Sequence, residues 1–100
     1  MAKASSGLGG LLSPELFKAL GEPTRVAILR RLLEHGAAHN VSEIAARCNV
    51  GLSTVSRHLA VLARAGILAC ERRGQEVLYR VRGRDLAVLL RRLADALDGA

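Results

Sequence analysis

The chain has 100 residues, half of them apolar, and a formal net charge of +6 from fifteen basic and nine acidic side chains. This length suits one small domain and leaves no room for a separate substrate or cofactor domain. Because Phe17 and Tyr79 are its only aromatic residues, the core must consist mainly of Leu, Val, Ile and Ala. That composition favours packed helices over a β-sandwich.

A Gly- and Ser-rich segment without hydrophobic periodicity opens the chain. We expect residues 1–12 to form a flexible arm in front of one domain at residues 13–98. Ser13 and Pro14 predict the start of a first helix, because Ser is a favoured N-cap and Pro is favoured in the first turn. Gly21 ends this helix.

Three further helices are predicted before the first strand. The second spans residues 23–35, opened by a proline and closed by a glycine. The third is short, over residues 42–48, with Ser42 as its N-cap. A tight turn at residues 49–51 leads into the fourth, over residues 52–65.

The last third of the chain predicts a β-hairpin followed by a helix. Residues 67–72 and 76–82 read as strands joined by a turn at residues 73–75, and leucines at helical spacing predict a last helix over residues 84–97. Short helix, tight turn, longer helix and hairpin are the order of a winged helix-turn-helix. The predicted fold is therefore mainly α with a β-hairpin wing: five helices and two strands.

The excess positive charge is confined to one stretch. Between Arg47 and Arg84 there are eight arginines and two acids, Glu71 and Glu76, whereas the charges of the other residues cancel. Guanidinium groups bind phosphates and guanine edges through paired N–H groups. The stretch therefore predicts a partner that carries many phosphates, and a basic face that only keeps the domain solvated is the alternative. Together with the winged helix-turn-helix, it indicates double-stranded DNA as the partner.

The fourth helix and the wing supply the predicted DNA contacts. On a helical wheel, Val55, Leu59 and Leu62 form the core stripe, and small hydroxyls and arginines lie opposite or beside it, where they can approach a groove. The predicted DNA-binding residues are Ser53, Thr54, Ser56, Arg57, His58, Arg64, Arg72, Arg73 and Gln75. An ordinary amphipathic helix, or a winged helix that binds protein instead of DNA, is the alternative.

The sequence gives no basis for catalysis. We recognise no nucleophile–base pair, carboxylate pair or Gly-rich phosphate loop, and predict no enzymatic activity and no cofactor. The apolar runs fall short of the roughly 18 residues of a membrane span, and the N-terminus does not read as a signal peptide. We therefore expect a cytoplasmic protein without a membrane partner.

The sequence resembles the ArsR/SmtB family of winged-helix transcriptional repressors over about residues 15–97. The resemblance lies in FKALGEPTR at 17–25 with Ile28-Leu29, LSTVSRHL at 52–59 with Leu62, AGIL at 65–68, and Arg72-Arg73-Gly74 with Leu78-Tyr79-Arg80-Val81. It implies a homodimer that pairs through its first and last helices, represses by occupying a near-palindromic operator, and is released from DNA by an inducer.

Leucine stripes at both ends of the chain independently favour a homodimer, because a monomer of 100 residues can hardly bury both. The predicted interface residues are Leu12, Leu16, Phe17, Leu86, Leu90, Leu93 and Leu97. Packing of these side chains within one protomer is the alternative.

The resemblance also implies where a metal sensor would lie. Metal-sensing members carry thiols at the positions of Asn40 and Ser42, and other members bind zinc through histidines of a last helix that contains none here. Neither Asn40 nor Ser42 offers a soft donor, and the last helix has no histidine, so we predict no metal site. We interpret His35 and His39 as surface histidines.

Cys48 and Cys70 are too few for a disulfide framework, and we expect both as thiols in a reducing compartment. Cys48 lies on the core side of the third helix, and Cys70 follows Leu68 on the same face of a strand. We interpret Cys48 as a small buried hydrophobe and Cys70 as a half-buried packing residue. A cysteine-based redox or metalloid switch is the alternative.

Overall fold

Within the residues that the structure describes, five α-helices and one antiparallel hairpin follow each other in the expected order. The computed structural model describes residues 13–36 and 38–99, so the predicted arm and Leu12 lie outside the described residues. The helices are α1 (Pro14–Leu20), α2 (Pro23–His35), α3 (Val41–Cys48), α4 (Leu52–Arg64) and α5 (Gly83–Asp98), and the strands are β1 (Leu68–Arg73) and β2 (Glu76–Val81). The predicted fold class is confirmed.

The start of α3 differs from the prediction. Its N-cap is Asn40 and not Ser42: the Asn40 Oδ1 accepts a hydrogen bond from the Glu43 N–H at 2.9 Å. The Glu43 carboxylate accepts in return from the Asn40 N–H at 2.8 Å. This reciprocal capping box requires a Glu or Gln three residues after the cap. Asn40 has one, whereas Ser42 is followed at that distance by Ala45.

The turn between α3 and α4 depends on one residue with left-handed backbone. Asn49 has φ 55° and ψ 45°, and its N–H donates to the Ala45 carbonyl to close α3. Asparagine tolerates this conformation better than most residues with a β-carbon. Gly51 then caps α4, so that one short turn, residues 49–51, connects α3 to α4.

The core is aliphatic and lies between the helices and the base of the wing. Val55, Leu59 and Leu62 of α4 are fully buried, which confirms the predicted stripe. The remaining buried apolar residues come from every other element except β2 and α5, and from the residue before β1; they are Leu16, Ala19, Ile28, Leu29, Leu32, Ile44, Ala45, Ile67 and Leu68.

The wing is held to the helices along the outer edge of β2. β1 and β2 pair from Leu68–Val81 at the base to Arg73–Glu76 at the tip. On its other edge, β2 bonds to the loop before α3: the His39 N–H donates to the Tyr79 carbonyl at 2.9 Å, and the Tyr79 N–H donates back at 2.8 Å. The prediction that His39 lies on the surface is wrong, because this bridge leaves it only 8% exposed.

Helix α5 carries apolar residues that its own protomer does not bury. None of its residues is buried, and Val88, Leu90 and Leu97 are exposed. Leu86 and Leu89 are half-buried against the core and anchor the helix on one side. No described helix is long and apolar enough to cross a membrane.

Candidate nucleic-acid interface

Helix α4 presents a continuous polar face opposite its core stripe. Ser53, Ser56, Arg57 and Arg64 are exposed, and Thr54 is half-buried beside them. In the described part of the chain, neither arginine forms a hydrogen bond or an ion pair with another side chain. Both guanidinium groups are therefore available for an external anion.

The N-terminal end of α4 adds backbone donors to this face. Its N-cap is Gly51, which supplies no side-chain oxygen to the first N–H groups of the helix. Such N–H groups, together with the helix dipole, favour an anion such as a phosphate. Ser53 and Arg57 lie in the first two turns of the helix, close to this end.

The wing tip contributes a second exposed basic group. Arg72, Arg73 and Gln75 are all exposed, and Gly74 has a φ of 64°, at the first position of the two-residue turn where a type II′ hairpin favours glycine. The Arg73 Nη2 lies 3.1 Å from the Glu71 Oε2 in a pair that is exposed on both sides. An exposed pair of this kind is weak, so Arg73 can exchange Glu71 for a phosphate.

His58, which the sequence predicts as a DNA contact beside this face, is turned away from it. Its side chain is 18% exposed, and its Nε2 lies 3.9 Å from the Glu22 Oε1. Its Nδ1 lies 3.2 Å from the Arg25 Nη1. Because the imidazole turns toward the start of α2, we remove His58 from the set of DNA contacts.

The Glu22 carboxylate is held ionised by these surroundings. It accepts a hydrogen bond from the Arg25 N–H at 3.0 Å, as the N-cap of α2. This bond, aided by the nearby His58, lowers the pKa of Glu22 below its ordinary value of 4.5 despite some desolvation.

A second connection fixes the wing relative to α3. The Asn40 Nδ2 donates to the Glu76 Oε2 at 2.8 Å, so the residue that caps α3 also holds the first residue of β2. His39 lies beside it, with its Nδ1 3.6 Å from the Glu43 Oε1 and its buried Nε2 without a hydrogen-bond partner among the described residues. These contacts hold the wing against α3, which one short turn joins to α4.

Sequence reasoning missed one residue of this surface and the two residues that contact His58. Leu52 is 55% exposed at the first position of α4. A wheel places it near the core stripe, but it stands at the end of the helix, beyond the residues that cover that stripe. Arg25 and Glu22 were missed because their partner His58 is more than 30 residues away in sequence, a relation that no local pattern reveals.

The two cysteines differ in their surroundings. Cys48 packs half-buried against the core, on the side predicted, and burial raises the pKa of its thiol. Cys70 is exposed, contrary to the prediction that it is half-buried, because only the first residue of β1 reaches the core. It pairs across the hairpin with Tyr79, whose pKa is raised by burial and by the nearby Cys70.

The described residues bring together no group of three or more His, Cys, Asp or Glu side chains that could hold a metal ion. The rings of His35 and His39 meet edge to face with centroids 6.0 Å apart. His35 is exposed, as predicted, and lies within hydrogen-bond distance of Arg47.

Comparison with known proteins points to one group. A model of a helix-turn-helix domain matches residues 20–71. The HTH-type transcriptional repressor SmtB of Mycobacterium tuberculosis is 39% identical over 87 residues, which are 86% of this chain and 63% of that protein. The chain thus spans less than two thirds of the length of SmtB.

Two further proteins support the same relation. The uncharacterized HTH-type transcriptional regulator Rv0081 of M. tuberculosis is 40% identical over 81 residues, covering 79% of this chain and 68% of that protein. Among solved structures, the homodimeric winged helix-turn-helix DNA-binding domain of Mb0332 from Mycobacterium bovis, a possible ArsR-family transcriptional regulator, superposes with a TM-score of 0.70. It is 26% identical, and the match covers 98% of this chain and 88% of that one.

Proposed function

Because this chain belongs to the ArsR/SmtB family of winged helix-turn-helix transcriptional regulators, we propose that it is a dimeric, sequence-specific repressor that binds a near-palindromic DNA operator. The family is one of regulators and not of enzymes. Since its target is the chromosome, we assign it to the cytoplasm.

The observation that carries the proposal is that both α4 and the wing present exposed arginines without a partner. Arg57 and Arg64 on α4, and Arg72 on the wing, have no partner within the described residues. A module that binds protein has no reason to keep free arginines on both elements. The phosphates of one DNA duplex can be contacted by both elements at the same time.

The two elements have different tasks on DNA. Arg57 lies in the second turn of α4, where the start of a recognition helix faces base edges, and its fork can bind guanine O6 and N7. Ser53, Thr54 and Ser56 can bind phosphates or bases at close range. Arg72, Arg73 and Gln75 at the wing tip contact phosphates or a narrow minor groove, and so supply affinity more than specificity.

The proposed dimer buries the apolar side of α5 and part of α1. Phe17, Leu90 and Leu97 are exposed and Leu93 is half-buried, which supports this interface, whereas Leu86 is half-buried against the core of its own protomer. Leu16 leaves the predicted set, because it is 4% exposed in the core of its own protomer.

A two-fold axis then sets the geometry of the operator. It relates two copies of α4, so the half-sites lie about 34 Å apart along the duplex or at a multiple of that distance. The inducer that releases the dimer acts by favouring a conformation in which the two copies no longer match adjacent grooves.

A salt-series titration tests the proposal directly. The protein is titrated against a duplex that it selects from a random-sequence library, and against a scrambled duplex of the same composition. We expect the logarithm of both association constants to fall steeply with that of the salt concentration, by about 0.9 per neutralised phosphate, with the selected duplex bound more tightly at each salt. A flat salt response, or no selected sequence, would favour a module that binds protein.

A further inference from the structure

Arg25 connects three elements through one guanidinium group. Its Nε donates to the Ala19 carbonyl at 2.7 Å, and its Nη2 donates to the Lys18 carbonyl at 3.0 Å. Its Nη1 lies 3.2 Å from the Nδ1 of His58 in α4. One side chain at the start of α2 thus bonds to the last turn of α1 and to the second turn of α4.

The geometry of the guanidinium explains why an arginine occupies this position. Its N–H donors point outward in one plane at fixed angles. Two of them satisfy carbonyls at the C-terminal end of α1, where a cation is also favoured by the helix dipole. The remaining nitrogen, Nη1, then has a fixed position, and it points to the imidazole of His58.

From this arrangement we infer that Arg25 is a positioning residue for DNA binding, which fixes the orientation of α4 to that of α1 through His58. The inference rests on the proposed function, since it concerns how the DNA-reading helix is set. α1 also carries the exposed Phe17 of the proposed dimer surface. A change in how two protomers pack is thereby transmitted to α4 through three hydrogen bonds.

The contact requires one protonation state of His58. An Arg N–H can only donate, so Nδ1 must accept, and the single ring proton of a neutral imidazole must be on Nε2. A second proton would be on Nδ1 and would face the Arg25 Nη1, a donor and a cation. A ring protonated on both nitrogens therefore cannot accept this hydrogen bond, and the link between α1 and α4 is lost in that form.

The charged groups around His58 are few. Arg25 and Glu22 face it from α2: the Arg25 Nη1 lies 3.2 Å from the Nδ1, and the Glu22 Oε1 lies 3.9 Å from the Nε2. The other elements that pack against α4 contribute charged side chains that bond elsewhere or have no described bond to His58. These are Glu15 and Lys18 of α1, Glu43 and Arg47 of α3, and Glu71, Arg72 and Arg73 of β1.

The test measures the ratio of association constants for the selected and the scrambled duplex at pH 8 and pH 6, at constant salt. In the wild type we expect the ratio to fall about fivefold or more at pH 6, which is the change that the loss of one hydrogen bond produces. His58→Asn places an amide oxygen near the position of Nδ1 and does not titrate, so its ratio should match the wild type at pH 8 and stay flat.

Two further variants make the readout specific. Arg25→Lys keeps the charge but cannot hold three acceptors at fixed angles, so its ratio should be low at both pH values while the dimer persists in ultracentrifugation. His35→Gln removes an exposed histidine outside this network and should follow the wild-type pH profile. A His58→Asn variant that keeps the wild-type pH dependence, or an Arg25→Lys variant that keeps the wild-type ratio or loses affinity only by dissociating, would overturn the inference.

A measurement without DNA separates this inference from the proposed function. At pH 8, the losses of melting temperature caused by Arg25→Lys and His58→Leu should be less than additive in the double variant, because both delete the same contact. Additive losses reject the contact itself. Coupled losses in a protein that selects no duplex reject the DNA-binding function and with it the positioning role, while the contact stands.

Discussion

Arg57→Ala and Arg73→Ala test how the two halves of the basic surface divide the work on DNA. Both side chains are exposed, Arg57 has no partner in the described residues, and Arg73 has only the exposed Glu71. Truncating either one therefore leaves the core untouched, and we expect changes in the free energy of unfolding within about 0.5 kcal/mol. Differences in DNA binding can then be attributed to lost contacts.

The two variants should change different quantities: Arg57→Ala lowers the discrimination between sequences, and Arg73→Ala lowers the affinity for any sequence. Loss of a bidentate guanine contact lowers discrimination by about 1–3 kcal/mol per half-site, which doubles on a two-fold operator if the half-sites are independent. Arg57→Ala should therefore shrink the ratio of specific to non-specific affinity at least tenfold. Arg73→Ala should weaken both affinities alike and reduce the salt slope by about 0.9 for each protomer.

The assay is a salt-series titration of both variants on the selected and the scrambled duplex. Arg30→Ala is the matched control, since it removes the same charge from an exposed position on α2 that is not among the proposed DNA contacts. It should change neither the ratio nor the slope by more than a fraction of these amounts. If Arg57→Ala lowers both affinities equally, the placement of Arg57 at base edges is wrong.

Four further outcomes follow from the structure. Leu90→Glu, which puts a charge on the exposed apolar side of α5, should convert the dimer to a monomer in analytical ultracentrifugation and weaken DNA binding with it; a monomeric wild type at micromolar concentration would contradict this. Under native conditions Cys70, which is exposed, should be alkylated well before Cys48, which is half-buried with a raised pKa, as peptide mass spectrometry would show; equal rates would refute the difference. Calorimetric titration with Zn²⁺ should reveal no submicromolar stoichiometric site, and finding one would refute the prediction. Because the pKa of Glu22 is lower in the folded state, its stabilising effect is present above pH 4.5 and is lost as the pH falls below that value. Glu22→Gln should therefore have a lower melting temperature than the wild type at pH 7, and the difference in melting temperature should be smaller at pH 3.

The order of elements and most of their ends are determined by the sequence alone. The wheel of α4 separates Val55, Leu59 and Leu62 from Arg57 and Arg64 because one period of about 3.6 residues governs both burial and exposure in a helix. Proline and glycine mark the ends of α1 and α2 in the same local way. Where two local signals compete, as with Asn40 and Ser42 at the start of α3, the residue that can close a reciprocal pair with Glu43 becomes the cap.

The tertiary structure alone determines what these faces meet. His58 and Arg57 are adjacent in sequence, but only the packing of α2 across α4 shows that His58 binds Arg25 whereas Arg57 points to solvent. Leu16 and Phe17 likewise share one apolar run, and the core of the protomer buries only the first. Cys70 lies two residues after Leu68, on the same face of β1, but at this position the strand no longer packs against the core. Periodicity tells which side of an element is apolar, but which partner covers that side, and how far along it, depends on contacts between residues distant in sequence.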